Sequence, residues 1–129
     1  MMTPQQILDT YRTFAVVGIS PKPDRPSNDV ASFLKARGYR IVPVNPGFTS
    51  ILGETCYPDL AAIPFPVEVV DIFRRSEDVM PIVDQAIAIG AKAVWMQIGV
   101  INEEAAARAR AAGLEVVMDR CPKVELSRR

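Results

Sequence analysis

The sequence predicts an α/β fold built on a doubly wound parallel sheet, and two observations support this prediction. Short runs rich in β-branched residues recur at residues 15–17, 41–44, 67–73, 93–96 and 114–118, and segments of helical period lie between most of them. Continuous apolar runs of this kind are typical of parallel strands covered on both faces. Five strands with helical crossovers predict a Rossmann-like five-stranded sheet in the order 3-2-1-4-5, with helices on both faces.

The helices between these strands have recognisable ends. We expect an opening helix at about residues 4–11, a helix capped by Ser27, and a helix capped by Ser76 or Asp78. Asn102 is expected to cap a further helix at residues 103–112, with two glutamates in its first turn. A glycine follows each of the last three helices, as is common at helix C-termini.

The second strand and the connection that follows it depart from this regular pattern. Pro43 lies inside the second strand and predicts that one ladder hydrogen bond is absent near its end. Residues 47–66 are rich in turn formers, and we expect a long, partly irregular crossover with one short helical turn at residues 59–62.

Size and composition define the class of protein and exclude several functions. The chain has 129 residues, which predicts a single domain over residues 1–129, and 49% of them are apolar, enough for a sizeable core. Its formal net charge is zero, so no overall field attracts nucleic acid or an anionic membrane. There is no histidine, and the two cysteines are far apart, so no zinc site or disulfide framework is predicted. Without a leader or a bilayer-spanning run, we expect a cytoplasmic protein.

The carboxyl ends of the strands are where an open α/β sheet binds ligands. The loop after the first strand begins at Gly18, and three prolines in it remove backbone donors. A phosphate there would depend on side chains and on a helix N-terminus in place of a glycine-rich nest of amides. The candidate residues of this loop are Gly18, Ser20, Lys22, Arg25, Ser27 and Asn28.

The end of the second strand lacks the acid that a site for NAD requires at this point. Val44, Asn45 and Pro46 stand there, and none of them is charged. They are candidates for flanking an adenine or a ribose, while a plain turn is the alternative. The dinucleotide glycine pattern is missing as well, so NAD is disfavoured.

The remaining strand ends add further candidates. Phe73 and Arg74 follow the third strand, with Arg75 as an additional cation, and Gln97 and Gly99 follow the fourth. Cys121 follows the fifth strand beside Arg120, which would lower the pKa of a thiol, although a packed, inert cysteine is the commoner case.

A set of short segments, taken in order, resembles a known family. The segments are VVGIS from Val16, RPS from Arg25, GY from Gly38, VPVNP from Val42, ILG from Ile51, VDIFR from Val70, AVWMQIG from Ala93 and VMDRCP from Val117. The chain resembles the small stand-alone CoA-binding proteins, whose domain is similar to the N-terminal CoA-binding domain of the succinyl-CoA synthetase α subunit.

The resemblance implies that coenzyme A is the ligand. It also implies that the following residues line the site: Gly18, Ser20, Arg25, Ser27, Asn28, Val44, Asn45, Pro46, Phe73, Arg74, Gln97 and Gly99. It covers nearly the whole chain but does not extend to the synthetase reaction, because the second domain and the phosphorylated histidine have no counterpart. A proline-rich first loop also replaces the glycine-rich one. We therefore expect a non-catalytic or regulatory protein that binds CoA or an acyl-CoA.

Several alternatives stay open at this point. One is a regulatory protein or oxidoreductase that binds NADP or NAD, since a 2′-phosphate would also favour arginine. Another is an enzyme that exchanges the CoA thiol with Cys121, and a third is an interaction module without a small ligand. We expect no nucleic-acid or membrane partner, while a protein partner or a homo-oligomer is left open.

Overall fold

The computed structural model describes residues 1–128 and contains a five-stranded parallel sheet beside a two-stranded one. The strands are β1 (Thr13–Val17), β2 (Arg40–Val44), β3 (Ser50–Ile51), β4 (Glu54–Thr55), β5 (Val69–Ile72), β6 (Ala93–Met96) and β7 (Glu115–Val117). The main sheet has the order β2-β1-β5-β6-β7, and β3 and β4 form a small antiparallel hairpin. The predicted α/β class and the five main strands are confirmed.

Within residues 1–128, five α-helices cover the two faces of the main sheet. They are α1 (Pro4–Thr10), α2 (Pro26–Ala36), α3 (Val79–Ala88), α4 (Glu103–Ala111) and α5 (Pro122–Ser127). Side chains of α1, α2 and α5 pack on one face, against residues such as Phe14 and Trp95, and those of α3 and α4 pack on the other. The helix α5 was not predicted.

The predicted strand order is wrong in one respect. Counted along the chain, the main strands lie in the order 2-1-3-4-5, because the third of them, β5, pairs with β1 and not with the outer edge of β2. Tyr57 occupies that outer edge: its N–H donates to the Pro43 carbonyl at 3.0 Å, and its carbonyl accepts from the Asn45 N–H at 2.9 Å. The connection between β2 and β5 therefore bonds to the edge at which a third strand was predicted.

This edge position also explains how β2 accommodates a proline. The Pro43 carbonyl faces Tyr57, away from β1, and the N–H and C=O of one strand residue point to the same side. The donor that Pro43 lacks would therefore have pointed to the outer edge, where its loss costs little. The ladder between β1 and β2 keeps its full register from Thr13 to Val17.

Helix caps were predicted with mixed success. Asn102 caps α4 as expected, accepting from the Ala105 N–H at 2.9 Å. Arg25, and not Ser27, is the N-cap of α2, and no side chain caps its free amides. A 3₁₀ turn at Ser76–Asp78 precedes α3, which also lacks a side-chain cap.

The long third connection is partly irregular, as expected, but holds the hairpin β3–β4, which the sequence did not reveal. The predicted short turn is confirmed as a 3₁₀ helix at Leu60–Ala62, where Asp59 accepts from the Ala62 N–H at 2.9 Å. Within residues 1–128, no helix has the length and apolar character needed to cross a bilayer.

Candidate functional site

A cavity of about 690 Å³ lies at the carboxyl ends of β1, β5 and β6. Seven of the predicted site residues line it: Gly18, Ser20, Arg25, Ser27, Phe73, Arg74 and Gln97. The other lining residues are Pro26, Val30, Arg75, Asp78, Ile98, Val100 and Cys121. Because Cys121 follows β7, residues from the segments after four strands, β1, β5, β6 and β7, meet in one place.

The first loop is held in shape by its own polar side chains. The Ser27 hydroxyl accepts from the Ser20 N–H at 2.9 Å, and the Asn28 carboxamide donates to the Ser20 carbonyl at 2.9 Å. The Ser20 hydroxyl accepts from the Lys22 N–H at 3.1 Å. These bonds order the loop before any ligand arrives, so binding has less conformational entropy to overcome. Lys22 and Asn28 lie outside the lining of the cavity.

Gly18 is required by the close approach of two strand ends. Its φ is +84°, and a Cβ atom built there would lie 2.3 Å from the Phe73 carbonyl oxygen and 2.9 Å from Nη1 of Arg74. Its N–H donates to the Val44 carbonyl at 3.0 Å, which continues the ladder to β2. Any other residue would have to separate β1 from β5.

The three residues at the end of β2 do not line the cavity. Val44 is buried in the sheet and Pro46 is exposed. The Asn45 carboxamide donates to the Ile19 carbonyl at 2.9 Å and accepts from the Gly47 N–H at 2.9 Å. Asn45 thus ties the first loop to the second strand end, a structural task that sequence patterns did not reveal.

The arginine pair after β5 divides into two roles. Nε of Arg75 forms ion pairs with the carboxylates of Glu77 at 3.3 Å and Asp78 at 3.2 Å. Arg74 and Arg25 form no ion pair with the described residues, and both line the cavity while reaching solvent. Arg25 and Arg74 are therefore the cations available to an anionic ligand.

A fully buried carboxyl group lies beside the cavity. Asp71 is central in β5, and its Oδ1 accepts from Nε2 of Gln97, a residue of the cavity wall. Its Oδ2 has no hydrogen-bond partner among residues 1–128. Burial raises the pKa of Asp71 to about 7, against a smaller lowering by the Gln97 hydrogen bond. Asp71 was not predicted, although a carboxylate between the apolar neighbours Val70 and Ile72 was the feature that could have identified it.

The segment after β6 supplies an apolar rim. Ile98 and Val100 line the cavity, and the Ile98 side chain is 62% exposed. Gly99 is outside the lining, since its N–H donates to the Asp119 carboxylate at 2.7 Å and its carbonyl accepts from the Ser76 hydroxyl at 3.4 Å. These hydrogen bonds connect the rim to the segments that follow β5 and β7.

The two cysteines lie in different surroundings. Cys121, the N-cap residue of α5, lines the cavity and is partly accessible. Cys56 is buried beneath the second strand end, and burial raises the pKa of its thiol despite a hydrogen bond to the Asn45 carbonyl. Only Cys121 is therefore placed to meet a ligand.

This geometry defines a nucleotide-type binding protein of the doubly wound class, with its ligand crevice at the carboxyl ends of the strands. Residues 12–127 match the family described as the CoA binding domain, and the chain belongs to that family. Membership supports coenzyme A, in general terms, as the ligand.

Two similar proteins match this chain over nearly its whole length. The chain is 38% identical to YneT of Bacillus subtilis (strain 168) over 120 residues, which are 93% of this chain and 89% of the relative. A hypothetical protein from Pyrococcus horikoshii OT3 is 43% identical, with a TM-score of 0.93 over 98% of this chain and 92% of the other.

A larger enzyme contains a similar domain. The dinucleotide-forming acetyl-coenzyme A synthetase 1 of Ca. Korarchaeum cryptofilum is 24% identical to this chain, with a TM-score of 0.74. The match covers 84% of this chain and 26% of the synthetase. At this level of identity the likeness concerns the fold alone.

Proposed function

We propose that this protein binds coenzyme A or an acyl-CoA in the cavity at the ends of β1, β5 and β6, without a catalytic step of its own. The observation that carries the proposal is the composition of the cavity wall. An uncapped helix N-terminus and two unpaired arginines stand at one part of it, and apolar side chains make up much of the rest.

The charged part suits the phosphates of CoA. The side chains of Arg25 and Arg74 face a shared space with Pro26 and Ser27, the first two residues of α2. The amides in the first turn of a helix carry a partial positive charge, and here no side chain caps them. A diphosphate placed there would receive hydrogen bonds from backbone amides and charge from guanidinium groups.

The apolar part suits the uncharged arm of CoA and an attached acyl group. Val30, Phe73, Ile98 and Val100 form this part of the wall. Burying the arm against them would supply affinity at about 25 cal/mol for each Å² of apolar surface removed from water. The thiol end of the arm would then come within reach of Cys121, on the same wall.

The second strand end supports CoA over NAD. A site for NAD places an acid there to bind the ribose hydroxyls, whereas this chain has Asn45, whose carboxamide is already bonded on both sides. Nothing negatively charged at that point opposes a phosphorylated ribose. NADP also has a phosphorylated ribose, so it is the alternative ligand that an experiment must distinguish from CoA.

Calorimetry with CoA, dephospho-CoA, NADP and NAD tests the proposal. We expect CoA to bind more tightly than dephospho-CoA and more tightly than both dinucleotides. Arg25→Ala should weaken CoA binding roughly tenfold, because a charge-assisted hydrogen bond is lost. Arg110→Ala, an exposed arginine on α4, is the matched control and should leave the affinity unchanged. The absence of CoA binding at millimolar ligand would refute the proposal.

A further inference from the structure

The pair formed by Asp71 and Gln97 decides which chemical group the cavity wall offers to a ligand. We infer that Asp71 is a positioning residue, which fixes the Gln97 carboxamide with its oxygen toward the cavity, ready to accept a hydrogen bond from an N–H or O–H of the ligand. The inference rests on the proposed function for the identity of that ligand, and CoA carries such donors in the amides and hydroxyl of its pantetheine arm.

The geometry of the pair supports this role. Nε2 of Gln97 donates to Asp71 Oδ1, so the carboxamide oxygen is the atom left over, and it has no hydrogen-bond partner within residues 1–128. That oxygen is absent from the fully enclosed, unpartnered side-chain atoms, whereas Asp71 Oδ2 is among them. Since Gln97 lines the cavity, its free oxygen is the acceptor offered to a ligand.

An ionised carboxylate can only accept hydrogen bonds, so it dictates the orientation of the amide beside it. A protonated Asp71 would also be a donor, and could bond the Gln97 oxygen instead. The carboxamide would then turn and present its NH₂ group to the cavity. Protonation of Asp71 would thereby replace the hydrogen-bond acceptor that Gln97 offers to the cavity with a hydrogen-bond donor.

Among the groups around Asp71, Gln97 is the side chain that forms a hydrogen bond with its carboxylate. Side chains alternate along β5, so Asp71 faces the layer of α1, α2 and α5, and Val16 and Trp95 flank it in register. The titratable side chains facing this layer are Tyr11, Tyr39, Cys56, Cys121 and Glu125 together with the cavity arginines Arg25 and Arg74. Tyr39 donates to the Leu8 carbonyl at 2.7 Å, and Glu125 pairs with Arg120 and Arg128.

The burial of Asp71 sets the pH at which the Gln97 carboxamide changes orientation, and this pH is near neutral. Burial raises the pKa of Asp71 to about 7, the Gln97 hydrogen bond being the opposing influence. Both orientations of the carboxamide are therefore populated near that pH, with the acceptor form favoured at higher pH.

Nuclear magnetic resonance on the free protein tests the positioning without any ligand. The Gln97 side-chain amide resonances, assigned by their loss in Gln97→Met, should shift with pH around a midpoint near 7. The shift should vanish in Asp71→Asn, which has no proton to exchange in this range. Resonances that do not titrate in the wild-type protein, or that titrate equally in the variant, would overturn the inference.

A double-mutant cycle with CoA tests the consequence for recognition. At about pH 8, Asp71→Asn should weaken CoA binding by roughly threefold to tenfold, as for one hydrogen bond, and should have no further effect in a Gln97→Met background. Equal losses in the two backgrounds would show that Asp71 does not act through Gln97. If CoA fails to bind the wild-type protein, the proposed function fails, while the resonance measurement still decides the positioning.

Discussion

The stability of this protein should depend on pH in an unusual direction because of Asp71. A typical carboxylate is ionised more readily in the folded state, and its contribution to stability is lost in acid. Asp71 is the opposite case: burial raises its pKa in the folded protein to about 7, well above its ordinary value of 3.8. Between these two values the folded protein retains a proton that the unfolded chain has released.

The size of the effect follows from that difference. One pH unit corresponds to about 1.4 kcal/mol, so the contribution of Asp71 amounts to about 4 kcal/mol. It is fully present below about pH 4 and is lost as the pH rises through about 7. Asp71→Asn removes this titration and keeps the shape of the side chain. The free energy of unfolding of the wild-type protein, relative to this variant, should fall by up to about 4 kcal/mol from pH 4 to 8.

Urea denaturation followed by circular dichroism, repeated at several pH values, measures this difference. Comparing the two proteins at each pH cancels the titration of all other groups. Asp24→Asn, at an exposed aspartate, changes the charge by the same amount and is the matched control. Parallel stability curves for the wild-type protein and Asp71→Asn would refute the assignment of a raised pKa to this residue.

Two further predictions test the cavity wall. Gly18→Ala should lower the free energy of unfolding by about 2–4 kcal/mol in denaturation experiments, since its Cβ atom meets a backbone oxygen. Gly38→Ala, at a similar φ but with open space around it, should cost only about 1 kcal/mol, and equal losses would contradict the steric account. Oxidised CoA should form a mixed disulfide with Cys121, whose thiolate displaces one CoA thiolate from the CoA disulfide. Intact-mass analysis should find the adduct lost in Cys121→Ser, whereas an adduct on Cys56 of the folded protein would contradict the proposed ligand position.

The local features of this fold could be predicted from the sequence because they depend on neighbouring residues. The five main strands follow from runs of β-branched residues, and Asn102 caps α4 through a bond within its own turn. Residues of the first loop line the cavity, at the sheet edge where ligands of open α/β sheets bind, and their part in ligand binding stays a prediction.

Strand order and side-chain tasks depend on contacts between distant parts of the chain, and only the tertiary structure decided them. Tyr57 bonds to the outer edge of β2, and β5 pairs with β1. Asn45 was predicted to lie beside a ligand, and the structure adds that its carboxamide bonds the backbone of two loops.

What the sequence by itself determined is the class of fold and the absence of histidine chemistry, while the edge of the sheet where a ligand would bind stays a prediction. The tertiary structure decided which side chains meet there. Asp71 is an ordinary acid in the sequence, and the sheet and the helices around it turn it into a buried, proton-sensitive partner of Gln97. The physical reason is that burial is a property of the packed layers, so it cannot be assigned to a residue before the strands are ordered.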